Sequence, residues 1–286
     1  MKAERKLNDK IYLFIAVLVI ILIVAGAVTG AVIVKNRSAK SERILGVWWW
    51  DNRLDGSYLT FASEQGVNEI YYYTSSFNEK TSAFLQNAAE LGIRVYWLTG
   101  NYEWIEDSGP LYEKIEEFTE FQNKAEYPFS GIHFDIEPHQ HPDFERERGK
   151  LITAFVELVY ALKGAYPDLW FEYDIPFWLD DEISLNGETK PAYAHIIDAS
   201  SGVTVMSYRD SAEAILNCAS EEISYAESVG KPLNLSVETG ENDDDMVTFF
   251  EEGALYMQEQ LNFVKENLPD SFGIAIHHIR SWAELK

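Results

Sequence analysis

Eight short runs of apolar and aromatic residues recur along residues 44–286, and longer segments of helical periodicity separate most of them. The runs cover 44–50, 67–73, 94–98, 131–137, 169–175, 203–208, 232–237 and 273–278. Helix-period segments lie at 82–91, 112–124, 146–162, 212–229 and 247–268, with Leu91-Gly92, Val229-Gly230 and Leu268-Pro269 marking exits. Strands that alternate with helices pair in parallel through right-handed crossovers. Eight of them in this length predict an α/β fold of the closed (β/α)8 type, a TIM barrel, which typically takes about 250 residues. An open dinucleotide-binding sheet would need a Gly-rich phosphate loop after its first strand, and none follows here. Only the exit Ile279-Arg280 and residues 281–286 follow the eighth run, so the last helix is expected to be stunted or missing.

The first 43 residues do not belong to that pattern. Residues 11–34 (IYLFIAVLVIILIVAGAVTGAVIV) are 24 uncharged, mostly apolar positions. At about 1.5 Å per residue such a helix crosses a hydrocarbon core of about 30 Å. Ala25-Gly26-Ala27 resembles a signal-peptidase site, but the run far exceeds the roughly 7–15 residues of a signal-peptide apolar region. The expectation is therefore an uncleaved transmembrane signal anchor over 11–34, between a cytoplasmic tail (1–10) and a polar linker (35–43). Four basic residues flank each side (Lys2, Arg5, Lys6, Lys10; Lys35, Arg37, Lys40, Arg43), so charge does not orient it. The function expected of the domain favours the outside of the cell membrane.

Of the 23 Lys+Arg and 47 Asp+Glu in the chain, 8 and 3 fall in residues 1–43, which leaves 15 against 44 and a net charge of −29 on the domain. A nucleic-acid binder needs a basic face to release counterions from phosphates, so that class is excluded. The same charge argues against docking on an anionic surface or polymer. A hydrophobic fraction of 47% with 14% aromatics excludes disorder. The single cysteine, Cys218, permits neither an intrachain disulfide nor a multi-thiolate metal site, and reads as a small buried hydrophobe in a helix.

The reacting groups of such a barrel come from the C-terminal ends of its strands. In the fourth run, Gly131-Ile132-His133-Phe134-Asp135-Ile136-Glu137-Pro138, period-two alternation puts Ile132, Phe134 and Ile136 on one face and His133, Asp135 and Glu137 on the other. The apolar face packs on helices, and the other drives three ionisable groups into the barrel, rising towards its mouth. Two carboxylates closing in a partly dry site cannot both ionise cheaply, so one is expected to hold its proton, as a general acid near neutral pH must. The alternative is a buried structural cluster.

This strand resembles the D-G-x-D-x-D-x-E strand of family 18 glycoside hydrolases, the chitinase-like and endo-N-acetylglucosaminidase barrels. The resemblance implies that Glu137 protonates the glycosidic oxygen and that Asp135 orients the substrate's own acetamido group as nucleophile. Val205-Met206-Ser207-Tyr208 is similar to the family's M-x-Y-D motif and implies that Tyr208 holds the acetamido oxygen. Ser130 and His133 stand where the family has its first two Asp residues, and Arg209 where an Asp follows the Tyr. Asp135-Ile136-Glu137-Pro138 is also similar to the N-E-P strand of clan A retaining glycosidases, with Ile136 in place of the Asn. That likeness implies a nucleophile at the end of strand seven, where Ser236-Val237-Glu238 stands; the two carboxyls would then be about 5–5.5 Å apart.

Aromatics at or just beyond strand ends fit a sugar site, because sugar rings stack their C–H faces on such side chains. Trp50, Trp97, Trp178 and Trp282 are the candidates, near Tyr73 and Tyr102, with His133, Arg209 and His277 as further substrate-binding residues. His277 or His278 is expected to hydrogen-bond substrate or Tyr208. A rival reading is a metallohydrolase, since His133, His139, His141, His277 and His278 with Asp135 and Glu137 offer N/O ligands, though no H-E-x-x-H spacing supports it. The acidic run 241–245 reads as a solvated loop with Ca²⁺ as the alternative. A third class is a sugar-binding barrel without catalysis. The expectation is a membrane-anchored extracellular glycoside hydrolase with a carbohydrate substrate, no metal and no cofactor.

Overall fold

The computed structural model describes residues 43–286 apart from 52 and 54. Eight parallel strands close into a barrel in chain order: Leu45–Trp49, Glu69–Tyr73, Arg94–Thr99, Gly131–Phe134, Phe171–Pro176, Gly202–Met206, Leu233–Glu238 and Gly273–His277, called here strands one to eight. The first pairs with the eighth from Leu45↔Ile274 to Val47↔Ile276, which shuts the sheet. Each of the eight runs becomes one barrel strand.

The helices differ more from their expected extents. The helix Ala192–Ala199 has no readable amphipathic period because all but one of its residues are buried. The nine-residue helix Gly56–Glu64 is too short to show one, and starts where Asp55 accepts from the Ser57 amide at 2.8 Å. The stretch 212–229 is two helices, Ala212–Cys218 and Ser220–Val229, because Ala219 leaves helical geometry. The helix expected from 247 begins at Gly253, whose positive φ of 83° sharply turns the chain into it. The last helix is stunted, at six residues, Ile279–Glu284. An antiparallel hairpin, Glu182–Leu185 with Glu188–Pro191, interrupts the exit of strand five and turns at Asn186-Gly187, both with positive φ.

Alternation along the strands divides the interior. Outward side chains such as Trp49, Tyr72, Trp97, Phe134 and Tyr173 join the helices in one large apolar core. Inside the barrel only Trp48, Tyr71, Tyr96, Leu98 and Ala275 form a separate apolar cluster. They share that space with buried Glu69, His133, Glu172, Asp174, Thr204, Asn234 and Ser236. Barrels usually fill this space with Val, Ile and Leu; here it is aromatic and ionisable, so hydrophobic stabilisation comes mainly from the sheet–helix layer. Among the described residues no helix is long and apolar enough to cross a membrane. The expected anchor, 11–34, lies outside the described residues.

Candidate active site

Strand four stops pairing at Phe134, but its alternation continues. The Asp135 amide donates to the Thr99 carbonyl at 3.0 Å, and Ile136 stays buried in the helix layer. Gly100 makes this approach possible, since a methyl group there would sit 1.7 Å from the Asp135 carbonyl oxygen. Asp135 and Glu137 are thereby presented at the mouth end. Burial and then the Asp174 charge push the Glu137 carboxyl up to about 7. Burial also raises Asp135 well above the carboxylate range, with the charges of Asp174 and Glu137 adding and His133 opposing. Both carboxyls are thus raised, where the sequence predicted one. The buried Asp135 Oδ1 has no hydrogen-bond partner among the described residues. Glu137 contacts Gln140, and its Oε1 lies 3.8 Å from His139 Nε2.

His133 was expected among the substrate-binding residues, but the structure places it below the mouth. It is fully buried, two residues below Asp135, with Nε2 2.8 Å from Asp174 Oδ1 and Nδ1 3.2 Å from Glu172 Oε2. Burial alone would lower its pKa, but Asp174 and Glu172 raise it to about 10. Asp174 and Glu172 on strand five were missed by the sequence reading. Their signal was the same alternation, with Phe171, Tyr173 and Ile175 facing the helices and Glu172 and Asp174 the barrel axis.

Strand six ends at Met206, and Ser207 Oγ donates to the Ser236 carbonyl at 2.9 Å, tying the turn to strand seven. Burial raises the Tyr208 hydroxyl pKa well above its usual value, helped in turn by Asp174, Asp135, Glu238 and Glu137. Tyr208 is therefore a neutral O–H donor among four carboxyl groups. Arg209 donates to the Tyr208 carbonyl at 2.7 Å and lies 4.6 Å over the Phe177 ring. Glu238 closes strand seven: Oε1 accepts from the Thr239 and Gly240 amides at 2.7 and 2.6 Å, and Oε2 is 2.6 Å from His277 Nδ1. Burial pushes this carboxyl up, but hydrogen bonds from His277 and the two amides hold it below its ordinary value. The Trp50 indole N–H, which can only donate, reaches His277 Nε2 at 2.9 Å. The proton of His277 therefore sits on Nδ1, facing Glu238. His277 was expected to bond substrate or Tyr208; it is committed to Trp50 and Glu238 instead, its ring 6.0 Å from that of Tyr208.

Two further expectations are corrected. Trp97 is buried in the helix layer, stacked on Phe118 with ring centres 5.4 Å apart, its indole donating to the Thr74 carbonyl. Trp282 belongs to the last helix and packs edge-on against Phe61. Trp50 and Trp178 stay half-buried, Trp50 beside Tyr73 and Trp178 beside His139 and under the Arg148 guanidinium. The histidines of the metal reading do not converge. His141 turns to Glu106 and His278 caps the last helix. Among the described residues no group of three or more His, Cys, Asp or Glu is placed to hold a metal. Residues 241–245 are exposed.

No family model matches the chain, and no curated protein sequence matches it. Solved structures do. A chitinase from Bacteroides thetaiotaomicron superposes with a TM-score of 0.56 at 12% identity, covering 84% of this chain and 91% of that one. The spore cortex-lytic enzyme SleL of Bacillus megaterium gives 0.53 at 12% identity over 85% of this chain and 73% of that one. SleL of Bacillus cereus gives 0.51 at 12%, over 84% and 73%. The chain shares the barrel fold of these proteins.

Proposed function

We propose that the domain is a glycoside hydrolase that cuts a β-linked glycan next to an N-acetylhexosamine. The observation that carries this reading is the Asp135–Glu137 pair at the barrel mouth, both carboxyls shifted towards their protonated forms beside a neutral Tyr208 hydroxyl. Glu137 gives its proton to the glycosidic oxygen as that bond breaks. The acetamido oxygen of the same sugar attacks the anomeric carbon and closes an oxazolinium ring. The acetamido N–H meets the unpartnered Asp135 Oδ1, and the Tyr208 O–H donates to the acetamido oxygen, aiming it. Water then adds at the anomeric carbon and returns its proton to Glu137. Trp50 and Trp178 supply apolar walls for sugar faces, and Arg209 a donor at the rim. The structural neighbours, a chitinase and spore cortex-lytic enzymes, agree with this class of substrate.

A second reading rests on Glu238. Environments that push two carboxyls apart in pKa mark an acid and a nucleophile, and Glu137 is raised while Glu238 is lowered. We favour acetamido attack because three donors already engage Glu238. Turnover of a chromogenic N-acetylglucosaminide, unaffected by chelator, is the expected outcome. Chelator-sensitive turnover would restore the metal reading, and sugar binding without turnover would make the barrel a binding module.

We also propose that residues 11–34 anchor the domain to the outer face of the cell membrane. The support is the length of the uncharged run, joined to the glycosidase domain proposed above. Protease added to intact cells should remove the domain; full protection reverses the topology.

A further inference from the structure

We infer that Asp174 is a positioning residue for the Asp135–Glu137 pair, an immobile charge that His133 and Trp48 lock beside it from inside the barrel. The inference deepens the reading of Glu137 as the acid and rests on it. Register supplies the first argument. Phe134 pairs with Tyr173, so the next inward positions on these neighbouring strands are Asp135 and Asp174. Parallel neighbours lie about 4.8 Å apart, and two carboxyls side by side on one sheet face destabilise a fold. Such a pairing needs a reason other than stability.

The clamp supplies the second argument. Both Asp174 oxygens are engaged, Oδ1 by His133 Nε2 at 2.8 Å and Oδ2 by the Trp48 indole N–H at 3.3 Å. The other ring nitrogen of His133 faces Glu172 Oε2 at 3.2 Å, and Glu172 Oε1 accepts from Trp170 at 2.8 Å. Carboxylates only accept, so His133 carries a hydrogen on each nitrogen and is an imidazolium. Its ring is pinned flat on Tyr71, with centres 3.7 Å apart, and the Tyr71 hydroxyl accepts from Asn234 at 3.1 Å. Two carboxylates against one imidazolium leave a surplus negative charge. Glu172 is held one inward step deeper, and Asp174 presents its charge to the reacting pair.

The groups around the acid fix the sign of the effect. Glu137 feels Asp174 from strand five and faces the neutral His277 of strand eight and His139 of its own loop. Asp135 feels Asp174, Glu137 and, from below, His133; Tyr208 and Glu238 complete the wall. Negative Asp174 favours the protonated forms of Asp135 and Glu137, and positive His133 opposes it at Asp135. The alkaline limb of kcat/KM reports loss of the Glu137 proton.

Asp174→Asn keeps the shape and removes the charge. It should move that limb down by about one pH unit and lower kcat above pH 7 about tenfold, with a smaller change in KM. Glu172→Gln, at the far end of the same buried triad, should cost comparable thermal stability and leave the limb near its wild-type position. A limb unmoved by Asp174→Asn, or moved equally by Glu172→Gln, overturns the inference. If Asp174→Asn does not fold, Asp174→Ser decides, since it removes the same charge with a smaller side chain: an unmoved limb overturns the inference. Carboxyl ¹³C NMR of Glu137 in wild type and variants reads the same coupling without turnover. An inactive wild type whose Glu137 titration still falls in Asp174→Asn would sink the hydrolase reading and keep the clamp; an unshifted titration sinks the clamp.

Discussion

Glu137→Gln is expected to lower kcat by about 10²–10⁴-fold, the usual cost of a lost general acid, while the protein stays folded and still binds substrate. Gln keeps the volume and one acceptor oxygen but has no proton to give, so the leaving sugar must depart as an alkoxide. The loss should depend on the leaving group. A nitrophenolate departs without help, so the chromogenic substrate should lose less than an oligosaccharide, whose leaving alcohol needs the proton. Wild-type rates on an oligosaccharide from folded Glu137→Gln would remove the assignment altogether. Because Glu137 is held at about 7, wild-type kcat/KM should fall as pH rises through that value, where the acid loses its proton. Asp135→Asn should be the next most damaging change. It preserves the contact to the Thr99 carbonyl, which uses the backbone, but replaces the oxygen or the proton at the unpartnered Oδ1.

How much of this was readable in the chain depended on which strands alternate. Strand four spells its two faces out, apolar Ile132, Phe134 and Ile136 against ionisable His133, Asp135 and Glu137, so the phase of the reacting face is in the sequence. Strand three, Arg94–Thr99, is apolar or aromatic at almost every position after its first residue, so nothing local says that Tyr96 and Leu98 face the barrel and Trp97 the helices. That phase is set by packing, and Trp97 was misplaced for that reason. Height along a strand is equally silent. His133 shares the face of Asp135, but two residues at about 3.3 Å each put it below the mouth and among Asp174, Glu172 and Tyr71. Asp174 obeys the same alternation as Asp135, yet its importance comes from the register between strands four and five, which is tertiary. The Trp50–His277 contact joins residues 227 positions apart, and no local pattern announces it.

The nucleophile is decided by what survives at Tyr208 and Glu238. With acetamido attack, Tyr208→Phe removes the donor that aims the acetamido oxygen and should cost about 10²–10³-fold in kcat, the scale for one lost transition-state hydrogen bond. Its raised pKa keeps Tyr208 a donor across the working range, so the loss should be independent of pH. Turnover should also be confined to sugars that carry a 2-acetamido group. Glu238→Ala then acts indirectly. It frees the Thr239 and Gly240 amides and releases His277 Nδ1, which Glu238 and Trp50 together hold in one tautomer, so a moderate loss is expected, and azide should not repair it. If Glu238 itself attacks, the pattern inverts. Glu238→Ala abolishes turnover and leaves a space beside the anomeric carbon, where azide enters and restores activity with a glycosyl azide as product. Tyr208→Phe would then matter little, and substrates without the acetamido group would be cut. Azide rescue of Glu238→Ala on such a substrate would overturn acetamido attack. Glu137 would keep its place, because both routes need the same proton delivered to the same leaving oxygen.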